Sequence, residues 1–151
     1  MIPSRPVFTL TLTVPAIEDI GVTPYGSRKI ATVTGGTFEG DRLRGIVLPS
    51  PAGDWLLLRS DDVLCLDVRM TLKTDDGALI YLHYNGMRHG PAEVLSRLGR
   101  GETVDPSAYY MRAVPVFETA APKYSWLNRA VFVAMGRRVA AGPIYEVHEV
   151  L

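Results

Sequence analysis

The 151-residue sequence has a single cysteine, Cys65, which excludes a disulfide bond within the chain and is typical of a reducing, cytoplasmic compartment. It has no net charge, since 16 basic residues balance 16 acidic ones. Binding of nucleic acid or of an anionic membrane requires a basic excess, so neither partner is predicted. No apolar run approaches the roughly 20 residues that span a bilayer. Thr9, Thr11 and Thr13 interrupt the apolar N-terminal stretch, which indicates a strand and not a signal peptide.

Motifs of the common catalytic and cofactor-binding sites are absent as well. The sequence has no glycine-rich phosphate loop and no nucleophile elbow. The histidines are His83, His89 and His148; a turn could bring His83 and His89 together, but no cysteine or carboxylate stands beside these two at the spacing of a zinc site. We therefore predict neither a metal ion nor another cofactor.

What the sequence does contain is a period-two alternation of apolar and polar residues, the pattern of half-buried strands. Short connections with turn-forming residues separate nine such segments: 7–14, 28–40, 44–49, 54–60, 63–74, 78–86, 108–119, 128–136 and 143–150. One short helix is predicted near 91–98, because Pro91 suits its start and Gly99 its end. Many short strands at this spacing predict an all-β fold, an antiparallel barrel or sandwich, in one domain over 1–151.

The centre of the chain contains two hairpins whose pairing can be derived from their turns. If Asp76-Gly77 is a two-residue turn, Arg69 lies opposite Tyr84. If Asp61-Asp62 is another, Asp54 lies opposite Arg69. These registers give one sheet face that carries Asp54, Asp67, Arg69 and Tyr84 among Leu56, Leu58 and Leu82, and a second face that carries Trp55, Leu66, Val68 and Met70.

Two orientations of this sheet are open. With the second face buried, Asp54 and Arg69 form an exposed cross-strand pair that contributes at most about 1 kcal/mol. With the first face inside a barrel, a carboxylate, a guanidinium and a phenol line an apolar pocket that suits an organic ligand. The second face must then be covered, which predicts a homo-oligomer. The alternation by itself slightly favours the first orientation, because an antiparallel sheet usually buries its apolar face.

Four stretches together carry a likeness to a known family: GSRKIATVTGGTFEG (26–40), the segment from GIVLPSPAGDW to IYLHYNG (45–86), YYMRAVPVFET (109–119) and YSWLNRAVFVAMGR (124–137). Through them the chain resembles the domain of unknown function 3237 family, small bacterial and fungal proteins, over nearly its whole length. The resemblance implies a single-domain antiparallel β-barrel, here of about nine strands, that is often assembled as an oligomer. Some relatives are similar to enzymes that cyclise or isomerise polyphenol-like or polyketide-like compounds.

The family's charged and polar signature positions fall on Arg28, Asp54, Asp67, Arg69, Arg112, Glu118 and Asn128. Charged groups need partners if they are buried. The resemblance therefore favours the second orientation, with Asp67 and Arg69 pointing into a charged barrel interior. That interior is either a structural network of salt bridges or a polar pocket. A solvated surface is the third interpretation.

Three functions fit these residues. The first is a cofactor-free isomerase, cyclase or lyase, in which Asp54 or Asp67 is the base and Arg69 or Arg112 stabilises an enolate or phenolate. In that hypothesis Tyr84 donates a hydrogen bond, and the remaining polar signature residues Arg28, Glu118 and Asn128 bind the substrate. The second is a barrel that binds a small-molecule ligand without chemistry, and the third is a structural, oligomeric module. The sequence alone does not decide whether the protein is an enzyme.

Overall fold

The computed structural model describes residues 1–151 and is built mainly from antiparallel strands. The eleven strands are β1 (Ser4–Thr13), β2 (Ala16–Thr23), β3 (Gly26–Thr32), β4 (Gly35–Glu39), β5 (Arg44–Val47), β6 (Gly53–Leu58), β7 (Leu64–Thr74), β8 (Leu79–His89), β9 (Tyr110–Glu118), β10 (Val131–Val139) and β11 (Gly142–Val150). One α-helix, α1 (Ala92–Gly99), and two 3-10 segments, Pro106–Ala108 and Pro122–Arg129, complete the chain. None of these helical segments has the length and apolarity needed to cross a bilayer.

Eight of the strands close into a barrel, which confirms the predicted fold class. They pair in the order β7-β5-β4-β1-β11-β10-β9-β8, and β8 returns to β7. The other three strands form an extension, β6-β3-β2, which begins on the same edge of β7 that β5 uses. β5 pairs with the last residues of β7, and β6 pairs with its first half. The extension therefore continues the sheet at one end of the barrel only.

The alternation of side chains decides what lies inside. Along β1, Phe8, Leu10 and Leu12 are buried while Thr11 and Thr13 are exposed, as the period of two requires. The same rule holds in β9, where every second residue from Met111 to Phe117 is buried. The inward residues of all eight barrel strands form one continuous apolar core.

The structure has two strands more than the nine that were predicted. One of them, β2, was not predicted at all. The other arises because the predicted strand 28–40 is split into β3 and β4 at Gly35-Gly36. Both glycines have φ of +152°, and a Cβ atom on Gly36 would overlap the carbonyl oxygen of Thr11. The chain therefore leaves the extension and enters the barrel at a point where only glycine fits.

The predicted registers on both sides of β7 are wrong by one residue. Arg69 pairs with His83 and not with Tyr84, and Asp54 pairs with Val68 and not with Arg69. Both turns have three residues instead of two, and the third residue has a positive φ: 66° at Asp62 and 88° at Gly77.

One extra residue in each turn reverses the face of β7 relative to both of its neighbours. Asp54 in β6 and Tyr84 in β8 face inward as predicted, but β7 contributes its apolar residues Leu66, Val68 and Met70 to the same interior. Asp67 and Arg69 therefore lie on the outer face of the barrel, and their predicted inward orientation is wrong.

The two ends of the barrel interior are filled differently. At the end that contains Phe8, three phenylalanine rings pack edge to face, with centroids 5.8 Å apart for Phe8–Phe117 and 4.9 Å for Phe117–Phe132. The segment Pro122–Arg129 covers this end with the buried Tyr124 and Leu127. We call it the closed end. At the opposite end the extension and α1 cover the barrel, and a cavity remains between them.

Candidate functional site

The cavity has a volume of about 370 Å³, within the usual range of small-molecule sites. Its wall is largely apolar, with Leu56 and Leu58 of β6, Leu64 and Leu66 of β7 and Leu95 and Leu98 of α1. Five charged side chains also reach it: Lys29, Asp54, Asp62, Arg88 and Arg138. An apolar cavity with a few convergent charged groups is the typical form of a ligand site.

Asp54 is held by an interruption in the pairing of β6 with β7. Backbone pairing is present at Asp54–Val68 and again at Leu57–Cys65, but the positions between them are unpaired. The backbone N–H of Asp67 donates instead to Oδ1 of Asp54, at 3.1 Å. On the other side of the gap, Nη1 of Arg28 donates to the carbonyl oxygen of Trp55, at 3.1 Å. The gap thus fixes the carboxylate at the cavity wall, because its oxygen replaces a missing backbone acceptor.

The surroundings of Asp54 raise the pKa of its carboxyl group. Burial raises the pKa of Asp54 to about 6, and the negative charge of Asp67 adds to this effect. The hydrogen bond from Asp67 and the positive charges of Arg138 and Arg88 act in the opposite direction but do not cancel it. A carboxylate with this pKa can both accept and return a proton near neutral pH.

Arg88 and Arg138 enter the cavity from β8 and β10 and have no carboxylate of the chain within 4.0 Å. The Nε atom of Arg88 is buried and has no hydrogen-bond partner. Burial lowers the pKa of Arg88, and the nearby charge of Arg138 lowers it further. The two guanidinium groups therefore form a positive site that the chain itself leaves without a close counter-ion.

Two buried tyrosines lie beside these charges. Tyr145 lines the cavity, and the ring of Tyr84 packs against it with 5.0 Å between centroids. Burial raises the pKa of both phenols above the ordinary value. Both hydroxyls consequently stay protonated at neutral pH and can act as hydrogen-bond donors.

The structure contains no group of three or more histidine, cysteine, aspartate or glutamate side chains that could hold a metal ion. Apart from the exposed Lys29 and Asp62, the ionisable groups at the cavity are the carboxylate of Asp54, two guanidinium groups and the phenol of Tyr145. This set can transfer protons and stabilise negative charge with its own side chains.

The sequence family follows from comparison with known proteins. The family described as protein of unknown function (DUF3237) matches residues 3–150. The chain belongs to the DUF3237 family. It is 39% identical over 145 residues to a UPF0311 protein of Rhodopseudomonas palustris, an alignment that covers 96% of this chain and 94% of the relative. A UPF0311 protein of Clostridium acetobutylicum is 35% identical, with 95% and 91% of the two chains covered.

Three solved structures superpose on this one over nearly its whole length. The conserved protein of unknown function from Rhodopseudomonas palustris has a TM-score of 0.95 at 36% identity and covers 100% of this chain and 99% of its own. A β-barrel-like protein from Acinetobacter baumannii has a TM-score of 0.86 at 40% identity, with 100% and 97% covered. An enzyme from Penicillium herquei has a TM-score of 0.75 at 17% identity, with 99% and 95% covered, and shows a common fold alone.

In this DUF3237 protein, three of the eight residues predicted from the sequence lie at or near the cavity. Asp54 lines it, Tyr84 packs behind Tyr145, and Arg28 supports the gap beside Asp54 from the outer face. Asp67 donates its backbone N–H to Asp54. Its carboxylate lies on the outer face, where Oδ1 is 3.2 Å from Nε2 of His83.

The other predicted residues lie away from the cavity. Arg69 is exposed on the outer face of β7, and Glu118 is exposed at the end of β9. The guanidinium of Arg112 lies 5.1 Å from the ring centroid of Tyr110 on the outer surface. Asn128 joins the segment Pro122–Arg129 to the end of β9, since its side-chain amide makes two 2.8 Å hydrogen bonds with the backbone of Thr119. A site within the barrel does not use these four side chains.

Sequence reasoning missed Arg88 and Arg138, although a signal for them exists. The predicted strands ended at 86 and 136, whereas β8 and β10 continue for three more residues. Each arginine stands two positions after an inward glycine, Gly86 or Gly136, in the runs YNGMR and AMGRR. Extending the period of two by one step would have placed both guanidinium groups inside.

Proposed function

We propose that this protein is an enzyme that transfers protons within a small organic substrate bound in the barrel cavity, as an isomerase, cyclase or lyase. The observation that carries the proposal is the carboxylate of Asp54, half-buried at an apolar cavity wall beside two arginines without close counter-ions. Strongly perturbed carboxyl groups in a cavity are typical of catalytic acids and bases.

Asp54 acts as the general base. With a pKa of about 6, it is mostly ionised at neutral pH and is a stronger base than an ordinary aspartate. It removes a proton from a carbon next to a carbonyl group or from a phenol. The electrons of that bond move onto the substrate oxygen, and Asp54 becomes a neutral carboxylic acid.

Arg88 and Arg138 stabilise the oxyanion that this step creates. Preorganised positive groups in a site with little water stabilise developing charge more strongly than the same groups do in water. Tyr145 donates a further hydrogen bond, because its phenol stays protonated. The leucines of the wall keep water away from the intermediate.

The fate of the oxyanion determines the reaction. Return of the proton from Asp54 to a different carbon isomerises the substrate. Attack of the enolate or phenolate on a carbonyl or conjugated alkene carbon of the same molecule closes a ring, and the atom that receives the displaced π electrons takes the proton back from Asp54. Expulsion of a group β to the carbonyl, which leaves with its bonding electrons and the proton from Asp54, gives a lyase. All three outcomes use only side chains of this chain, so the proposal requires no cofactor.

Proton exchange measures the first step directly. Aryl alkyl ketones and 2-oxo carboxylates are incubated with the protein in deuterated water, and loss of the C–H signal is followed by proton NMR. We expect exchange with the unmodified protein and a loss of roughly 100- to 10,000-fold in Asp54→Asn. Arg69→Met, on the outer face of β7, is the matched control and keeps the rate. Undiminished exchange in Asp54→Asn would refute the assignment of the base.

A ligand-binding barrel without chemistry is the second candidate, and the unpartnered Nε of Arg88 favours it. That donor needs an acceptor from a ligand whether or not a reaction follows. Saturable binding of the test compounds with no exchange on any of them would favour binding over catalysis.

A homo-oligomer remains a prediction. The outer face of β9 and β10 exposes Val114, Val116, Val131 and Val133, which an association of copies would cover.

A further inference from the structure

We infer that the substrate carries a carboxylate group and that Arg88 and Arg138 bind this group inside the cavity. The assignment rests on the proposed function, because it names the substrate class of the same site. Three features of the cavity support it: its balance of charge, the unpartnered donor of Arg88 and the apolar character of the remaining wall.

The charges inside the cavity do not balance. Lys29 and Asp62 are exposed to solvent and have opposite signs. The less exposed groups are two arginines and one aspartate, which leaves one positive charge in excess when Asp54 is ionised. Charged groups are rarely buried without a partner. A ligand with a single negative charge completes the site, because it matches the excess.

The geometry of Arg88 favours a carboxylate over a halide or a neutral oxygen. A guanidinium presents a planar set of donors, and the Nε–H of Arg88 is buried without any acceptor. The two oxygens of a carboxylate can accept from two donors of that fork at once. A buried donor of a charged group without an acceptor is costly, so a bound carboxylate relieves an unfavourable state of the empty barrel.

The rest of the ligand faces leucines. Leu56, Leu58, Leu95 and Leu98 form the walls away from the arginines, so the body of the substrate is apolar. The substrate class is therefore a small carboxylic acid with an apolar, carbonyl-bearing body. Its carboxylate and the carbonyl oxygen that becomes the oxyanion lie together at Arg88 and Arg138, and its reactive carbon faces Asp54.

Binding of a matched pair of probes tests the inference. 2-Naphthoate and its uncharged amide, 2-naphthamide, have nearly the same shape and differ in charge. Calorimetric titration of the whole chain should show saturable binding of 2-naphthoate and binding of 2-naphthamide weaker by about ten- to a hundredfold, as expected for lost hydrogen bonds to a charged group. The smaller benzoate and benzamide repeat the comparison.

Variants then locate the anion. Arg88→Met and Arg138→Met should each weaken 2-naphthoate by about tenfold or more and leave 2-naphthamide unchanged. Arg69→Met and Arg112→Met remove guanidinium groups from the outer face and should change neither affinity. If one of the two cavity variants does not fold, the other is sufficient for the test.

Equal affinity for the acid and the amide, no binding of either acid, or unchanged affinity in both cavity variants would overturn the inference. Tighter binding of 2-naphthyl phosphate than of 2-naphthoate would overturn the choice of carboxylate.

Asp54→Asn separates this inference from the proposed function. The substitution removes the less exposed of the two carboxylates that line the cavity, so 2-naphthoate should bind more tightly while proton exchange is lost. Tighter binding with exchange retained supports the carboxylate site and overturns the assigned base. Weaker binding of 2-naphthoate by Asp54→Asn overturns the carboxylate site, whatever happens to exchange.

Discussion

The two ends of the barrel are built from the same eight strands but are filled by opposite means. At the closed end the inward positions carry Phe8, Phe117 and Phe132, whose rings pack against one another. At the cavity end the inward positions of β8 and β10 carry Arg88 and Arg138 instead. Strand alternation fixes only which residues point inward. The residue types along each strand then make one end a core and the other a site.

Two carboxyl groups make the contrast sharper. Asp76, in the turn before β8 at the closed end, accepts hydrogen bonds from Thr74, Lys123 and Tyr124, and these hold its pKa below the ordinary value. Asp54 has one hydrogen bond and largely apolar surroundings, and burial raises its pKa to about 6. The surroundings stabilise the charged form of Asp76 and destabilise the charged form of Asp54. This is the difference between a structural and a reactive carboxylate.

The largest expected effect is on packing at the closed end. Phe117→Ala should lower the free energy of unfolding by about 3–5 kcal/mol, because it removes a buried ring between two others. Urea denaturation measures the loss. The counterpart at the cavity end, Arg88→Met, should be neutral or stabilising, because it removes a buried charge without a close partner. A large loss in Arg88→Met would mean that both ends are structural cores.

Asp54→Asn should stabilise the protein above pH 6. The pKa of Asp54 is 3.8 in the unfolded chain and about 6 in the folded one, so the folded state binds more protons between these values. Stability from this group is therefore present below about pH 4 and is lost as pH rises through 6. At about 1.4 kcal/mol for each pH unit, the difference reaches about 3 kcal/mol at alkaline pH. Denaturation of both proteins at pH 4 and pH 8 measures it, and a constant difference would contradict the argument.

Asp76→Asn should show the opposite pH dependence. The folded pKa lies below the unfolded one, so the stabilisation is present above the unfolded value and is lost as pH falls through the folded value. We expect Asp76→Asn to lower the melting temperature at neutral pH and the difference to shrink in acid. Asp41→Asn, which removes an exposed carboxylate, is the control and should change little at any pH. If both substitutions behave alike, the cluster around Asp76 contributes nothing specific.

The smallest effect concerns Asp67. Burial is the main cause of the raised pKa of Asp54, and the charge of Asp67 is a lesser one. Asp67→Asn keeps the backbone N–H that binds Asp54 and removes the charge, so the pKa of Asp54 should fall slightly. The midpoint of the pH dependence of stability should move to lower pH. An unchanged midpoint would show that Asp67 acts on Asp54 mainly through its backbone N–H, which the substitution keeps.

The barrel could be predicted because its signal repeats along the whole chain. Alternation such as that of β1 marks strands wherever one face is buried and the other is wet. Turn length could not be predicted so well. Asp76-Gly77 suits a two-residue turn, and it suits equally the end of a three-residue turn in which Gly77 has the positive φ. At the other turn an aspartate, Asp62, adopts the positive φ, which residue type marks only weakly.

The error in turn length also explains why only part of the candidate site was predicted. The inward orientation of Asp54 and Tyr84 follows from β6 and β8, whose faces were assigned correctly. The arginine expected beside them, Arg69, belongs to β7, where the one-residue error reverses every side chain. The residues that face the cavity, Arg88 and Arg138, belong to strand ends that sequence patterns define least well.

The interrupted pairing between β6 and β7 also makes the site visible to spectroscopy. The amide proton of Asp67 is bound by the carboxylate of Asp54 and not by a backbone carbonyl. Protonation of that carboxylate, or a ligand that draws it away, weakens this one hydrogen bond. The amide resonance and the deuterium exchange rate of Asp67 therefore report the charge state of the site from a backbone position on a barrel strand, without any label in the cavity.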